Sequence, residues 1–387
     1  MIGFNKPYYT GKELDYIKQA FELEKLSGNG KFTKLCQDLL ERRYGIKKVL
    51  LTSSCTDALE MAALLINTGP ADEIIMPSYT FVSTANAFAL RGATIVFADS
   101  SAENPNIDVE KIESLITKKT KAIVVVHYAG FSCDMDKVVD IARKHSLYII
   151  EDAAQAIEST YKNRPLGSIG HLACFSFHET KNIISGEGGA LLINDSSFAQ
   201  RAEIIWEKGT NRAAFYRGEV DKYSWTDIGS SFLPSEITAA FLYAQLENVE
   251  RIQSKRHALW DSYQINLKIL EKEGKVRLPN IPSYCSHNAH MFYLICRTTD
   301  ERNRLLEYLN GLGINAIFHY LPLHKSVYNS TKYSGDELTM CDQYADCLMR
   351  LPFYFELDIE TTEVVAKAIL DFFRDGASAG YVTEFKS

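Results

Sequence analysis

"KAIVVVHYAGFSCDMDKVVDIARKHSLYIIEDAAQ", residues 121–155, decides the fold class: two unbroken apolar runs flank a segment whose apolar residues recur at helical spacing. A short run without polar alternation is a strand covered on both faces. A helix between two such strands is the crossover that a parallel pair requires. The pattern repeats upstream, where "KVLLTSS" (48–54), "EIIMPSY" (73–79) and "ATIVFADS" (93–100) read as strands and "TDALEMAALLI" (56–66) as a helix. Downstream, residues 172–195 read as two more strands joined through the "SGEGG" turn, followed by a helical "SFAQRAEIIWEKG" (197–209). The expectation is an α/β protein with a large mixed, mostly parallel sheet flanked by helices.

The helical pattern of residues 234–274 outruns an average helix, so a break is expected near 248–255. A domain boundary there assigns residues 1–250 to a large domain and 251–387 to a small C-terminal one. The latter is an α+β unit read from "HMFYLICRT", "RLLEYLNGLGINAIF" and "TTEVVAKAILDFFRD". The polar "DGASAGYVTEFKS" (375–387) reads as a flexible end. No solenoid repeat is visible.

Composition narrows the function classes. With 387 residues, 46% hydrophobic and 24% charged, the chain can build a core without disulfides or metal. Its eight cysteines form no CxxC pair and stand apart from histidines at zinc spacing, so no metal site is expected. Forty-nine acidic against 42 basic residues, with no basic run interleaved with aromatics, disfavour a nucleic-acid partner. The opening "MIGFNKPYYTGKELDY" has neither an export signal's h-region nor a spanning stretch, which makes the cytoplasm the expected location and a membrane partner unexpected.

In open α/β sheets ligands sit beyond the carboxyl ends of the strands. The residues there are Ser53–Thr56, Ser78–Phe81, His127 with Tyr128, and Glu151–Gln155. "LTSSCTDALE" offers hydroxyls and backbone N–H groups to a phosphate, although Ser54 or Thr56 serves equally as a helix cap. Asp152 either pairs with a cationic ring nitrogen or caps the next helix, and Tyr79 and Phe81 are either core or a plate for a ring. Lys181, set among Phe175, Phe177, Ile183 and Ile184, either snorkels to water or is a nucleophile. Ser176, five residues earlier, is in reach of the same phosphate. A phosphate cradle, an aromatic plate, an acid for a pyridinium nitrogen and a lysine for a Schiff base are together what pyridoxal 5'-phosphate needs. Gly186, Gly188 and Gly189 then allow the tight turn that returns the chain to the sheet.

The motifs "SSCTDAL", "PSYTFVSTANAF", "EDAAQ", "FSFHETKNIISGEGGAL", "AAFLYAQLE" and "FHYLPLH", in this order over residues 2–375, resemble the DegT sugar-nucleotide aminotransferases, enzymes of the fold-type I PLP-dependent class. The resemblance implies that Lys181 forms the Schiff base and then moves a proton, and that Asp152 keeps the pyridine nitrogen protonated. It also implies that Gln155 bonds the phenolic oxygen, that Phe81 stacks on the ring, and that Ser54, Cys55, Thr56 and Ser176 hold the phosphate. The family's Asn and Arg before the "AA" helix are replaced here by Ser231 and Leu233; Ser231 would take over contact with a neighbouring subunit's cofactor. A homodimer with shared active sites is implied.

Within that family the chain is most similar to members that make TDP-4-amino-4,6-dideoxy-D-galactose for enterobacterial surface polysaccharide. The implied reaction takes an amino group from L-glutamate and delivers it to C4 of TDP-4-oxo-6-deoxy-D-glucose, leaving 2-oxoglutarate. The segment "EKGTNRAAFYRGEVDKYSW" (207–225) offers Lys208, Arg212 and Arg217 to a pyrophosphate, or is a solvated loop. His319 and Tyr320 are second-line candidates for the substrate. Alternatives are the gluco epimer or a 3-amino sugar from the same chemistry, a PLP-dependent dehydratase using a histidine such as His178, and a non-enzymatic protein of this fold.

Overall fold

The computed structural model describes residues 1–374; the reading of 375–387 as a flexible tail lies outside the described residues. The strands are β1 (Lys48–Thr52), β2 (Glu73–Pro77), β3 (Thr94–Ala98), β4 (Thr120–Val126), β5 (Tyr148–Asp152), the short β6 (Thr160–Tyr161) and β7 (Arg164–Pro165), β8 (Leu172–Ser176) and β9 (Gly189–Ile193). In the last third follow β10 (Val276–Arg277), β11 (Cys285–Ser286), β12 (Tyr293–Cys296), β13 (Ile317–Phe318) and β14 (Leu348–Arg350).

Seven strands form the large sheet, in the order β1-β9-β8-β5-β4-β2-β3. β4 and β5 are parallel with Val126 opposite Asp152, and the helix Met135–His145 crosses between them. The sheet is parallel from β8 to β3. Only β9 runs against its neighbours β1 and β8. This is the mixed, mostly parallel α/β sheet expected from the sequence.

Both faces are covered, as unbroken apolar strands require. Alternate residues feed two cores: Ile74, Met76, Val124, Ile150 and Leu191 pack on one side, and Ile75, Ile123, Val125, Ile149 and Leu192 on the other. Each such side chain, removed from water, stabilises the fold by about 1.5–3 kcal/mol. This doubly buried slab holds the polar strand ends at fixed height.

The long helical stretch divides at Glu247–Asn248 into helices Glu236–Leu246 and Val249–Lys272, at the upstream edge of the expected break. The second packs on the helix Ile359–Arg374, where Ser262 Oγ and Thr362 Oγ1 are 2.6 Å apart. A four-stranded sheet, β10-β12-β14-β13, and a three-stranded one, β11-β6-β7, complete the chain. The first residues run alongside the last third: Ile2 bridges Ile314, and the Phe353 N–H donates to the Phe4 carbonyl. Among the described residues no helix is long and apolar enough to cross a membrane.

Candidate active site

A cavity of about 410 Å³ opens at the carboxyl ends of β2, β4, β5 and β8. It gathers Ser54, Cys55, Thr56, Phe81, Asp152, Gln155, Ser176, Lys181, His319 and Tyr320, ten of the residues singled out in the sequence. A larger groove of about 820 Å³ along β3 and residues 328–339 brings together no comparable set.

Lys181 sits in the loop between β8 and β9. That loop is closed by Phe177 N–H to Gly188 O, Glu179 N–H to Gly186 O and Lys181 N–H to His178 O. Gly186 takes the left-handed φ of +80° that the turn needs. Next in the chain, Asn182 is buried and donates to Gln253 Oε1 and to the Asn288 carbonyl. The loop is thereby tied to the helix Val249–Lys272. The lysine side chain has no hydrogen bond or ion pair among the described residues, although it shares the cavity with Asp152. Burial pulls its ammonium below the ordinary lysine value; Cys55 and Asp152 oppose that shift and the charge of Arg350 adds to it. The amine is thus unpartnered and biased toward its nucleophilic form.

Asp152 ends β5. Its Oδ2 accepts from Thr84 Oγ1 at 2.7 Å and its Oδ1 from the Ala154 N–H at 3.2 Å. Burial raises the carboxyl, opposed by those two bonds and by Lys181. Each oxygen keeps a free lone pair. Glu151 beside it points the other way and is fully paired, with His127 and the N–H groups of Gly167, Ile169 and Gly170. Burial alone would raise Glu151, but His127 and the backbone donors outweigh it and hold the carboxyl below its usual range. Of the two adjacent acids, Asp152 serves the cavity and Glu151 the scaffold.

The helix Cys55–Leu65 begins at the cavity wall. Ser54 caps it, accepting from the Asp57 N–H at 3.0 Å, so the capping reading of that hydroxyl holds. The Cys55 and Thr56 amides have no partner among the described residues and lie at the positive end of the helix. Thr56 Oγ1 and Ser83 Oγ are 2.8 Å apart on the same wall. Behind it Gly189 passes so close that a Cβ would stand 2.4 Å from the Cys55 nitrogen. These free donors and hydroxyls fit a phosphate, and the bare Lys181 amine beside Asp152 fits the ring and aldehyde of pyridoxal phosphate. Phe81 is 55% exposed and flanks the cavity as a plate, whereas Tyr79 is core, packed on Tyr128, Tyr320 and Tyr344.

Gln155 accepts from the Ala129 N–H at 2.7 Å and donates to Tyr320 OH at 2.9 Å. Its amide donor therefore faces a tyrosine rather than standing free. Tyr320 stacks on His319 with centroids 3.6 Å apart, and His319 Nδ1 is 2.7 Å from Tyr128 OH. Burial, then the charges of Arg350 and Lys181, keeps His319 neutral.

Lys208, Arg212, Arg217 and Ser231 are not among the lining residues. Ser231 bridges to Glu207, Arg212 bonds Tyr216, and Arg217 pairs with Glu203 and Glu219. All four are exposed in this chain. His178 is held by Thr180, 2.9 Å from Nδ1, and does not replace Lys181. Sequence reading missed Thr84, His290 and Arg350. Thr84 lay inside a quoted motif, one helical turn after Phe81. His290 and Arg350 come from the last third, where no spacing tied them to the rest.

A family model described as the DegT/DnrJ/EryC1/StrS aminotransferase family matches residues 7–370. The GDP-perosamine synthase of Escherichia coli O157:H7 is 30% identical over 375 residues, covering 97% of this chain and 99% of that protein. The UDP-4-amino-4-deoxy-L-arabinose–oxoglutarate aminotransferase of Shewanella sediminis is 31% identical over 379 residues, covering 94% and 96%. Among solved structures, Helicobacter pylori PseC, an aminotransferase involved in the biosynthesis of pseudoaminic acid, superposes with a TM-score of 0.86 at 26% identity, covering 97% of this chain and 99% of that one.

Proposed function

The chain belongs to the DegT/DnrJ/EryC1/StrS aminotransferase family and is a pyridoxal-phosphate-dependent sugar aminotransferase; on that premise we propose that it transfers the amino group of L-glutamate to C4 of TDP-4-oxo-6-deoxy-D-glucose. The products are TDP-4-amino-4,6-dideoxy-D-galactose and 2-oxoglutarate, and surface-polysaccharide synthesis in the cytoplasm is the setting. One observation carries the transaminase assignment: an unpartnered, desolvated lysine shares a cavity with a carboxylate and a helix N-terminus. The names of the two relatives, one pairing a 4-amino sugar nucleotide with oxoglutarate, support the donor and the sugar class.

When bound, the cofactor supplies an electrophilic carbon that captures amines and a ring that accepts the electrons left by proton removal. Lys181 Nζ, its charged form disfavoured by burial, would take the proton from the substrate carbon and deliver it to the carbon that was the cofactor's aldehyde. Asp152, held by Thr84 and Ala154, would pair with the ring nitrogen and favour its protonated form. The Cys55 and Thr56 amides, with the Thr56, Ser83 and Ser176 hydroxyls, would hold the phosphate. Phe81 would lie against the ring, and Gln155 with its partner Tyr320 would be the groups offered to its phenolic oxygen.

The unit of function we infer is a homodimer. Exposed Phe21, Leu23, Leu26 and Ile237 cluster where the Glu236 N–H bonds the Leu26 carbonyl, an apolar surface suited to a second copy. Lys208, Arg212, Arg217 and Ser231, displayed outside their own cavity, are then positioned to serve the partner's.

The deciding experiment is NMR of the product formed by the holoenzyme from L-glutamate with TDP-, GDP- and UDP-linked 4-oxo sugars in parallel. An axial amine at C4 from the TDP sugar alone is expected. An equatorial amine, amination at C3, or preference for another nucleotide would replace the substrate assignment and leave the chemistry standing.

A further inference from the structure

Asn182, the residue after Lys181, is 5% exposed, and its neighbours fix which way its amide points. Its nitrogen donates to Gln253 Oε1 at 2.9 Å and to the Asn288 carbonyl at 2.7 Å. Gln253 is itself oriented, because its own nitrogen donates to that same carbonyl at 3.1 Å. The Asn182 oxygen is therefore the atom that meets His290 Nδ1 at 2.9 Å, and an amide oxygen only accepts. So Nδ1 carries the hydrogen. Burial keeps this imidazole neutral, and the charges of Lys181, Arg256 and Arg350, with His319, push the same way. A neutral ring has one N–H, which leaves Nε2 as a bare lone pair.

That lone pair has no donor. His290 lines the cavity, its Nε2 makes no hydrogen bond among the described residues, and, unlike His127 Nδ1, it is not shut away in the core. Lys181 Nζ stands in the same cavity, likewise unpartnered, with hydrogens to give. The two needs are complementary. Other acceptors there are engaged: Gln155 Oε1 takes the Ala129 N–H, Tyr320 OH takes the Gln155 amide, and Asp152, bonded by Thr84 and Ala154, is the group reserved for the ring nitrogen. One residue joins the pair, since Asn182 both follows Lys181 and holds His290.

We propose that His290 is a positioning residue for Lys181: its Nε2 accepts a hydrogen from Nζ whenever the lysine is free of the cofactor, which aims the amine and stabilises its protonated form. This rests on the transaminase reading above. The flexible four-carbon stem of the lysine lets Nζ swing to that acceptor. While Nζ is neutral, one N–H points at His290 and the nitrogen's lone pair is left for the substrate carbon. Once Nζ has taken the proton from that carbon, the proton stays on the lysine and the bond to Nε2 becomes charge-assisted. A carboxylate in the same place would hold the ammonium as an ion pair and resist giving the proton back. The groups that bear on Nζ are Cys55, Asp152 and Arg350, and burial disfavours its charge; the acceptor works against that burial. Asn182, Gln253 and Asn288, none of which lines the cavity, thus reach the proton-transfer atom through one imidazole.

The test separates the two ring nitrogens. His290→Asn keeps a donor at the place of Nδ1 and withdraws the acceptor from the cavity, whereas His290→Gln carries an acceptor at the place of Nε2 and gives up the bond to Asn182. Folding is checked by thermal melting. In the full chain freed of cofactor, the pH midpoint of Lys181 acetylation by acetic anhydride is read by peptide mass spectrometry. In the holoenzyme, the first half-reaction is followed with L-glutamate and with its Cα-deuterated form. His290→Asn is expected to lower the acetylation midpoint by about 1–2 pH units and to slow proton removal by about 10- to 100-fold, with a larger isotope effect and unchanged glutamate affinity. His290→Gln should recover most of both. The reverse order of the two variants, losses that merely follow the melting temperature, or a loss confined to the sugar half-reaction would overturn the proposal. If the holoenzyme removes a Cα proton from no amino acid, the transaminase reading fails instead, and the acetylation midpoints still decide His290.

Discussion

Asp152 and Glu151 are neighbours of like chemistry with opposite duties, and the division is made by what each side chain meets. The bond from Thr84 opposes the rise that burial imposes on the Asp152 carboxyl. Replacing Thr84 by Val removes that bond, so the Asp152 carboxyl rises further and binds its proton at higher pH; the acid limb of the kcat/KM profile should move upward in pH, as stopped assays across pH 5–8 would show. Lys181→Ala should lose the cofactor's bound visible band and at least about 10²–10⁴-fold in rate, with the melting temperature kept; retained turnover in that variant would sink the assignment. Asp152, Phe81 and Ser176 were legible because each stands at or just past the end of an apolar run, where chemistry is expected, and Lys181 because it is a cation set among apolar residues. Arg350 stands at the end of a run too, "CLMR", but a lone arginine there looks like any surface cation. Its place in the cavity wall comes from tertiary contact, which only coordinates reveal.

The turn from β1 into the helix Cys55–Leu65 binds the phosphate site to the hairpin of β8 and β9. Ser54→Ala should cost about 1 kcal/mol of stability through the lost cap, measurable by urea denaturation. Gly189→Ala is the harsher change, because the added methyl meets the Ser54–Cys55 peptide at 2.4 Å. It should destabilise by about 1–3 kcal/mol as an overpacked site and weaken cofactor affinity in spectral titrations, while Gly186→Ala, which meets no atom, should act on the turn alone. The existence of these elements was readable from the apolar runs and helical spacing. The helix break was readable to within a few residues. The antiparallel insertion of β9 between β1 and β8 was not, since a fully buried strand carries the same apolar signature in either direction.

Across the whole molecule, the joint between the large sheet and the last third is sensitive to acid. His287 lies between Phe131, His257 and Trp260, and burial, then His257, pushes it down to about 4. The unfolded chain takes up that proton near pH 6.5 and the folded chain refuses it until about 4. Stability is therefore complete above that window and falls as pH drops through it. Melting temperatures from pH 7 to 4.5 should decline, less steeply in His287→Gln. Mixing Lys181→Ala subunits with Arg212→Ala subunits should restore activity that neither parent has if sites are shared, and sedimentation should report dimers. Sheet class was legible at this scale; the pairing of the first residues with the last third was not, because Ile2 and Ile314 are separated by nearly the whole chain. That pairing has a temporal side. The cavity's wall is spelled out from Ser54 to Arg350, and the N-terminal edge finds its partner only at residue 314. While the ribosome is still adding the last third, the emerging chain carries a cavity without the wall that His290, His319, Tyr320 and Arg350 supply.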